Sequence, residues 1–181
     1  KFNPRIKARL RKNRQVLNKN IDNFFGWVKG AKLVELKDCN PEEDPVRPEL
    51  DNKFRTGYGR KIFGVEYLGE IHAVMCFAYT NKIPKSVEEL EKLSTDAFLQ
   101  TAMRDQSGGQ IAIAYTVWSK KKGGGKLIVK EVFKKIKKSN HLNRLVTLSP
   151  LTEMATNFHE RNGAKLIQIN ETTQNFEYKV M

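Results

Sequence analysis

Apolar and polar positions alternate along residues 60–67 and again along 70–79, the period-two signature of strands. Leu68-Gly69 between them fits a tight hairpin connection. A shorter strand is predicted at 32–36. The nearly unbroken apolar run at 111–118 reads as a buried strand, and further strands follow at 144–148, 164–170 and 176–180. Helical spacing appears at 126–138, where Leu127, Ile128, Phe133 and Ile136 can share a core face. Ser86-Val87-Glu88-Glu89 is a capping box that opens a short helix over 87–93, and a further helix is predicted over 150–161.

The first thirty residues form a basic amphipathic helix in this reading. Ile6, Leu10, Leu17, Ile21, Phe24, Phe25 and Val28 recur at helical spacing among lysines and arginines, and Gly26 and Gly30 mark its end. Its basic face is either solvated or a surface for nucleic acid or a protein partner. No base-reading motif accompanies it. Pro41, Pro45 and Pro48 mark residues 38–49 as a loop, and Asp105-Gln106-Ser107-Gly108-Gly109 marks another. There is no internal repeat and no sign of a second domain, so the 181 residues are expected to form one domain preceded by the helical segment.

Charge narrows the partners. The formal net charge of +13 favours anions: nucleic acid, an acidic membrane surface or a phosphorylated cofactor. Two cysteines, Cys39 and Cys76, make no disulfide or metal framework, which points to a reducing, cytoplasmic setting. The sequence contains neither a membrane-length apolar run nor a secretory h-region. No ligand spacing predicts a metal: His72 reads as a strand residue and His141 as a loop residue.

The first chemical signal is the loop Ser119-Lys120-Lys121-Lys122-Gly123-Gly124-Gly125-Lys126 between a buried strand and a helix. Glycines let backbone amides approach an anion, and the open N–H groups of a helix's first turn favour phosphate. Leu127 follows Lys126, so the loop lacks the ending of a nucleoside-triphosphate loop. The second signal is Thr147-Leu148-Ser149-Pro150, followed by Asn157-Phe158-His159-Glu160-Arg161-Asn162-Gly163-Ala164. Ser149 before Pro150 also reads as an N-cap with proline at N1. His159 can complement a helix C-terminus, and Asn162-Gly163 reads as a helix stop.

The order hairpin, buried strand, glycine loop, helix, strand, helix, strand resembles the GNAT acyltransferase superfamily. That resemblance implies an α/β (α+β) fold with a mixed, largely antiparallel central sheet flanked by helices. It sets Lys120-Lys121-Lys122-Gly123-Gly124-Gly125 where the superfamily binds pyrophosphate, with lysine in place of the usual first residue. It implies coenzyme A bound by Val117, Trp118, Ser119, Lys120, Lys122, Gly123, Gly124, Gly125 and Lys126, although Tyr115 and Trp118 also read as packing residues. Ala155-Thr156-Asn157-Phe158-His159 resembles a segment in which many members carry a tyrosine acid, here replaced by His159.

Leu148-Ser149-Pro150 and Phe158-His159-Glu160-Arg161-Asn162-Gly163-Ala164 resemble the catalytic domain of malonyl-CoA decarboxylases more narrowly. The similarity spans roughly residues 60–180. It implies Ser149, His159 and Tyr178 as catalytic residues. In this reading the departures are a helical N-terminal domain that is absent or reduced to one basic helix, Leu151-Thr152 after Ser-Pro, a shortened stretch at Glu171-Thr172-Thr173-Gln174, and Phe176 where a tyrosine is usual.

Decarboxylating a malonyl thioester leaves an enolate that needs hydrogen-bond donors and then a proton. Histidine and serine can supply both. Conversion of malonyl-CoA to acetyl-CoA is therefore the leading expectation. The alternatives are acetyl transfer from acetyl-CoA to an amine, with Glu66 or Glu70 as a base, and a non-catalytic nucleic-acid-binding protein.

Overall fold

The computed structural model describes residues 12–13, 27, 29–102 and 108–179. The predicted helix at 1–30 falls largely outside them, including all seven of its predicted apolar positions. Of its residues, Lys12, Asn13, Trp27, Lys29 and Gly30 are described, and they are helical.

Strand β3 (Glu70–Thr80) illustrates how the core divides. Ala73, Met75 and Phe77 join one apolar cluster, while Val74, Cys76 and Ala78 join another. Successive strand residues point to opposite faces, so an unbroken apolar strand requires cover on both sides. One face is covered by α3 (Gly124–Lys137) through Leu127, Ile128, Val129, Val132 and Ile136. The other packs beneath Leu50, Phe54, Val87 and Leu90, contributed by α1 (Asn52–Thr56), α2 (Val87–Ala102) and the segment before them.

Among the described residues β1 (Lys32–Leu36), β2 (Lys61–Tyr67), β3, β4 (Ile111–Ser119), β5 (Arg144–Thr147), β6 (Ser149–Pro150), β7 (Ala164–Ile169) and β8 (Thr173–Tyr178) form one mixed sheet in the order β1-β2-β3-β4-β5-β8-β6, with β7 pairing the other side of β8. Only β4 and β5 run parallel. The remaining pairs are antiparallel. The largely antiparallel sheet with flanking helices agrees with the sequence expectation. Leu68 and Gly69 both take positive φ, 51° and 79°, as a two-residue hairpin turn requires.

Beyond small shifts such as β8, expected at 176–180, three differences from expectation have a local reason. Helix α2 continues to Ala102 through Ser94, where a stop was expected. The Ser94 hydroxyl is satisfied within the helix, donating to the Glu91 carbonyl and accepting from Arg60 Nη1. Helix α1 was not predicted; Asp51 caps it by accepting from the Phe54 amide at 2.7 Å.

The third difference bears on function. The helix expected from Pro150 begins at Glu153, as α4 (Glu153–Arg161). Ser149 is not its N-cap. Thr152 fills that position and accepts from Ala155 N–H, while Ser149 and Pro150 pair with Gln174 and Thr173 as β6. The Ser149 hydroxyl is therefore released from capping. Gly163, with φ 89°, follows the C-cap Asn162 as the expected stop.

Candidate active site

Strands β4 and β5 stay paired only as far as Ala114 and Thr147, with one further bond from Leu148 N–H to the Ala114 carbonyl. Beyond that point β4 remains with β3, and the chain after β5 turns away to join β8 as β6. A bulge helps separate them. Cys76 and Phe77 pair with Thr116 and Ala114, which leaves Tyr115 as the extra residue on β4. The two chains open a cavity of about 490 Å³ between Ala114–Val117 on one wall and Thr147, Ser149 and Pro150 on the other.

At the inner end of this cavity a chain of polar side chains is buried. The Ser149 hydroxyl donates to Thr147 Oγ1 at 2.9 Å and lies 2.9 Å from His159 Nε2. His159 Nδ1 lies 2.8 Å from the Tyr178 hydroxyl. Thr147 Oγ1 in turn accepts from the Phe176 amide at 3.1 Å. This orientation has Nε2–H donating to Ser149 and Nδ1 accepting from Tyr178. The imidazole stacks on Phe176, with ring centroids 5.2 Å apart, and meets Phe158 edge-on.

Burial fixes the protonation of this chain. His159 is held down from 6.5 to about 4 because desolvation penalises the imidazolium. Desolvation pushes the Tyr178 phenol up. Both groups are therefore neutral at pH 7. His159 does lie in the last turn of α4, but its depressed value opposes the reading of it as a cation that complements the helix dipole.

The sequence-predicted coenzyme contacts divide into two sets. Val117, Trp118, Ser119 and Gly125 line the same cavity as Ser149, His159 and Tyr178. Lys120, Lys122, Gly123, Gly124 and Lys126 do not line it; they form the loop and helix start beside it. Lys120 Nζ pairs with Glu43 at 2.7 Å, and Lys121 Nζ lies over Trp27 and Tyr67. Gly123 takes φ 84° as the N-cap of α3, and no side chain caps that helix. The Gly124 amide donates to the Lys121 carbonyl, and the next two first-turn amides, of Gly125 and Lys126, remain available to an anion. A Cβ on Gly124 would lie 2.3 Å from Ser119 Oγ, and one on Gly125 would lie 2.9 Å from the Phe158 ring. The proposed bases Glu66 and Glu70 do not line the cavity.

The sequence reading missed the polar network above the cavity. Asp44 is buried. Its Oδ1 accepts from Thr116 Oγ1, Val46 N–H and Arg47 N–H, and its Oδ2 accepts from Arg55 Nη2. Arg55 is also fully buried and donates to the carbonyls of Leu50 and Arg47 and to Cys76 Sγ. Pro45 and Val46, held by this network, form part of the cavity wall. The stretch read from sequence as an acidic, proline-bearing loop, and that composition carries no information about which of its charges is buried.

Neither a family model nor a curated protein sequence matches the chain. Its structure is similar to solved ones. A GNAT-like decarboxylase, GphF, in complex with isobutyryl-CoA superposes with a TM-score of 0.63 at 9% identity, covering 81% of this chain and 98% of that one. This chain has the GNAT fold. An acetyltransferase from Bacillus subtilis in complex with CoA shares the fold at a TM-score of 0.53 and 10% identity, covering 83% of this chain and 99% of that one. A malonyl-CoA decarboxylase from Cupriavidus metallidurans matches with a TM-score of 0.50 at 18% identity over 80% of this chain. The match covers 37% of the decarboxylase. On this GNAT fold, the opening between β4 and β5 and two residues of the glycine loop, Ser119 and Gly125, line one cavity. Among the described residues no helix is long and apolar enough to cross a membrane, and no cluster of His, Cys, Asp or Glu could hold a metal ion.

Proposed function

We propose that the protein decarboxylates a malonyl thioester of coenzyme A to the acetyl thioester. The observation that carries this reading is the buried Ser149–His159–Tyr178 chain at the end of a cavity with no acidic or basic side chain besides neutral His159 in its lining. The coenzyme's pyrophosphate would sit at the open N-terminus of α3, and its thioester would extend past Val117 and Gly125 toward Ser149.

Decarboxylation needs no base. The C2–carboxylate bond breaks, CO2 leaves, and the electron pair moves into the thioester as an enolate. The Ser149 hydroxyl, turned from Thr147 toward the enolate oxygen and still accepting from His159 Nε2–H, serves as its donor, and a water-excluded site makes such a donor more effective. C2 then takes the Ser149 proton, and the negative charge this leaves on the Ser149–His159–Tyr178 chain is quenched by a solvent proton as the product leaves. Tyr178, donating to Nδ1, keeps the proton on Nε2, where the chemistry uses it.

Acetyl transfer to an amine fits less well. It requires a group to deprotonate an ammonium, and an imidazole held near 4 is a weak base. The malonyl-CoA decarboxylase and GphF comparisons are compatible with the proposed reaction at the level of fold. The test is product analysis after incubation with malonyl-CoA, alongside acetyl-CoA with an amine panel. Acetyl-CoA and CO2 from the first reaction alone support the proposal. Acetylated amine from the second, with malonyl-CoA untouched, would replace it with acyl transfer.

A further inference from the structure

Arg47 occupies the opening between β4 and β5. Its Nε donates to the Tyr115 carbonyl at 2.9 Å and its Nη2 to the Leu148 carbonyl at 3.1 Å. These carbonyls belong to opposite walls of the opening, just past the last β4–β5 pair. The guanidinium therefore bridges the gap in the sheet that the cavity enters. Tyr115, Thr116, Thr147 and Ser149, on the same walls, line that cavity, as do Pro45 and Val46 just before Arg47.

The charge of Arg47 is offset only at a distance, by Glu49, Asp44 and Glu88. The residue is only 8% exposed, yet among the described residues no carboxylate lies within ion-pair distance of it. Asp44 accepts only the backbone N–H of Arg47 and gives its other oxygen to Arg55. The Asp44–Arg55 pair is neutral as a unit. Arg60 is also buried without an acid, but its guanidinium lies 4.4 Å from the Phe54 ring centroid, whose π face offsets the charge. Arg47 has no such face among the described residues. A buried cation without an ion-pair partner is costly, and one set in the strand gap that a cavity enters marks a place for an anion.

We infer that Arg47 is the specificity-determining cation of the site, taking the free carboxylate of a malonyl-type acyl group as that carboxylate reaches the opening between β4 and β5. The inference rests on the decarboxylase reading for the identity of the ligand. No side chain in the cavity lining is a cation, Arg47 standing just behind the lining residues Val46 and Tyr115, and bringing a carboxylate into the cavity would carry a large desolvation cost. Arg47 offsets part of that cost. It does so for acyl groups ending in a carboxylate and gives nothing to an acetyl group, so its effect falls on the choice of thioester.

The test is equilibrium binding of malonyl-CoA and of acetyl-CoA in a His159→Ala background, where malonyl-CoA is not consumed. Arg47, Arg47→Lys and Arg47→Gln forms are compared. Glutamine keeps a donor for a strand carbonyl while removing the charge. The expected result is tighter binding of malonyl-CoA than acetyl-CoA with Arg47. Arg47→Gln should weaken malonyl-CoA by at least about tenfold, the lower end for a hydrogen bond to a charged group, with acetyl-CoA unchanged. Arg47→Lys should restore part of the preference. Equal weakening of both thioesters would reduce Arg47 to a structural brace and overturn the inference, as would unchanged malonyl-CoA affinity. Failure of the wild type to release CO2 would sink the decarboxylase reading, while the malonyl-to-acetyl affinity ratio would still decide the role of Arg47.

Discussion

Ser149 Oγ and His159 Nε2 lie 2.9 Å apart because the chain between them first forms a strand and only then a helix. With Ser149–Pro150 paired to β8 and Thr152 capping α4, the serine side chain faces the cavity and not the helix amides. The cap that sequence assigned to Ser149 is made by Thr152, three residues later. Two activity variants follow from this geometry. Ser149→Ala and His159→Ala should each lower kcat by about 10²-fold or more while leaving CoA binding intact, as measured by steady-state kinetics and calorimetry. A variant that lost CoA affinity in step with turnover would speak for a structural role.

Tyr178 supports the imidazole from the other side. Tyr178→Phe removes only the hydroxyl at 2.8 Å from Nδ1 and keeps the ring. It should reduce kcat by about tenfold, a hydrogen bond's worth of positioning, with KM unchanged. Kinetics identical to the wild type would remove Tyr178 from the site.

The pH behaviour follows from burial of His159. Its value lies near 4 in the folded chain and near 6.5 when unfolded, so between these limits the unfolded state binds more protons. Stability is full above pH 6.5 and is lost as pH falls toward 4, by about 3 kcal/mol from this group at ~1.4 kcal/mol per pH unit. His159→Gln should flatten that part of a stability-versus-pH curve from chemical denaturation. The kcat profile of the wild type should carry no inflection near 6.5. An inflection there would mean that the imidazole titrates normally.

The Asp44–Arg55 pair, with both side chains fully buried at 2.9 Å, holds the cavity wall. Asp44→Ala leaves Arg55, Thr116 and two backbone amides without their acceptor. The expected loss is about 3–5 kcal/mol of stability, read as a lowered denaturation midpoint. A midpoint within error of the wild type would show that water replaces the carboxylate at no cost.

Gly125 sits where the coenzyme loop approaches Phe158. Gly125→Val would push the ring that packs edge-on against His159. CoA affinity and turnover should fall together, as titration calorimetry and initial rates would register. Retained affinity would place the coenzyme elsewhere.

Much of the sheet was legible in the sequence because period-two patterning is local: β1 and the β2–β3 hairpin stand close to where they were expected. Ser149–Pro150 was misread because a serine before proline has the local chemistry of a helix start. Its pairing with Thr173 and Gln174 is a long-range fact that local spacing does not encode. Ser149, His159 and Tyr178 were reached through resemblance. Asp44, Arg47 and Arg55 were not reached at all, because burial of a charge depends on partners distant in sequence, such as Thr116 and Leu148.

The most direct test of the account is mass spectrometry of the thioester formed from malonyl-CoA in deuterated water, over short incubations, by the wild type and His159→Ala. The account predicts acetyl-CoA labelled with deuterium at C2 from the wild type and intact malonyl-CoA from the variant. Unchanged malonyl-CoA in both samples, or equal acetyl-CoA in both, would contradict it.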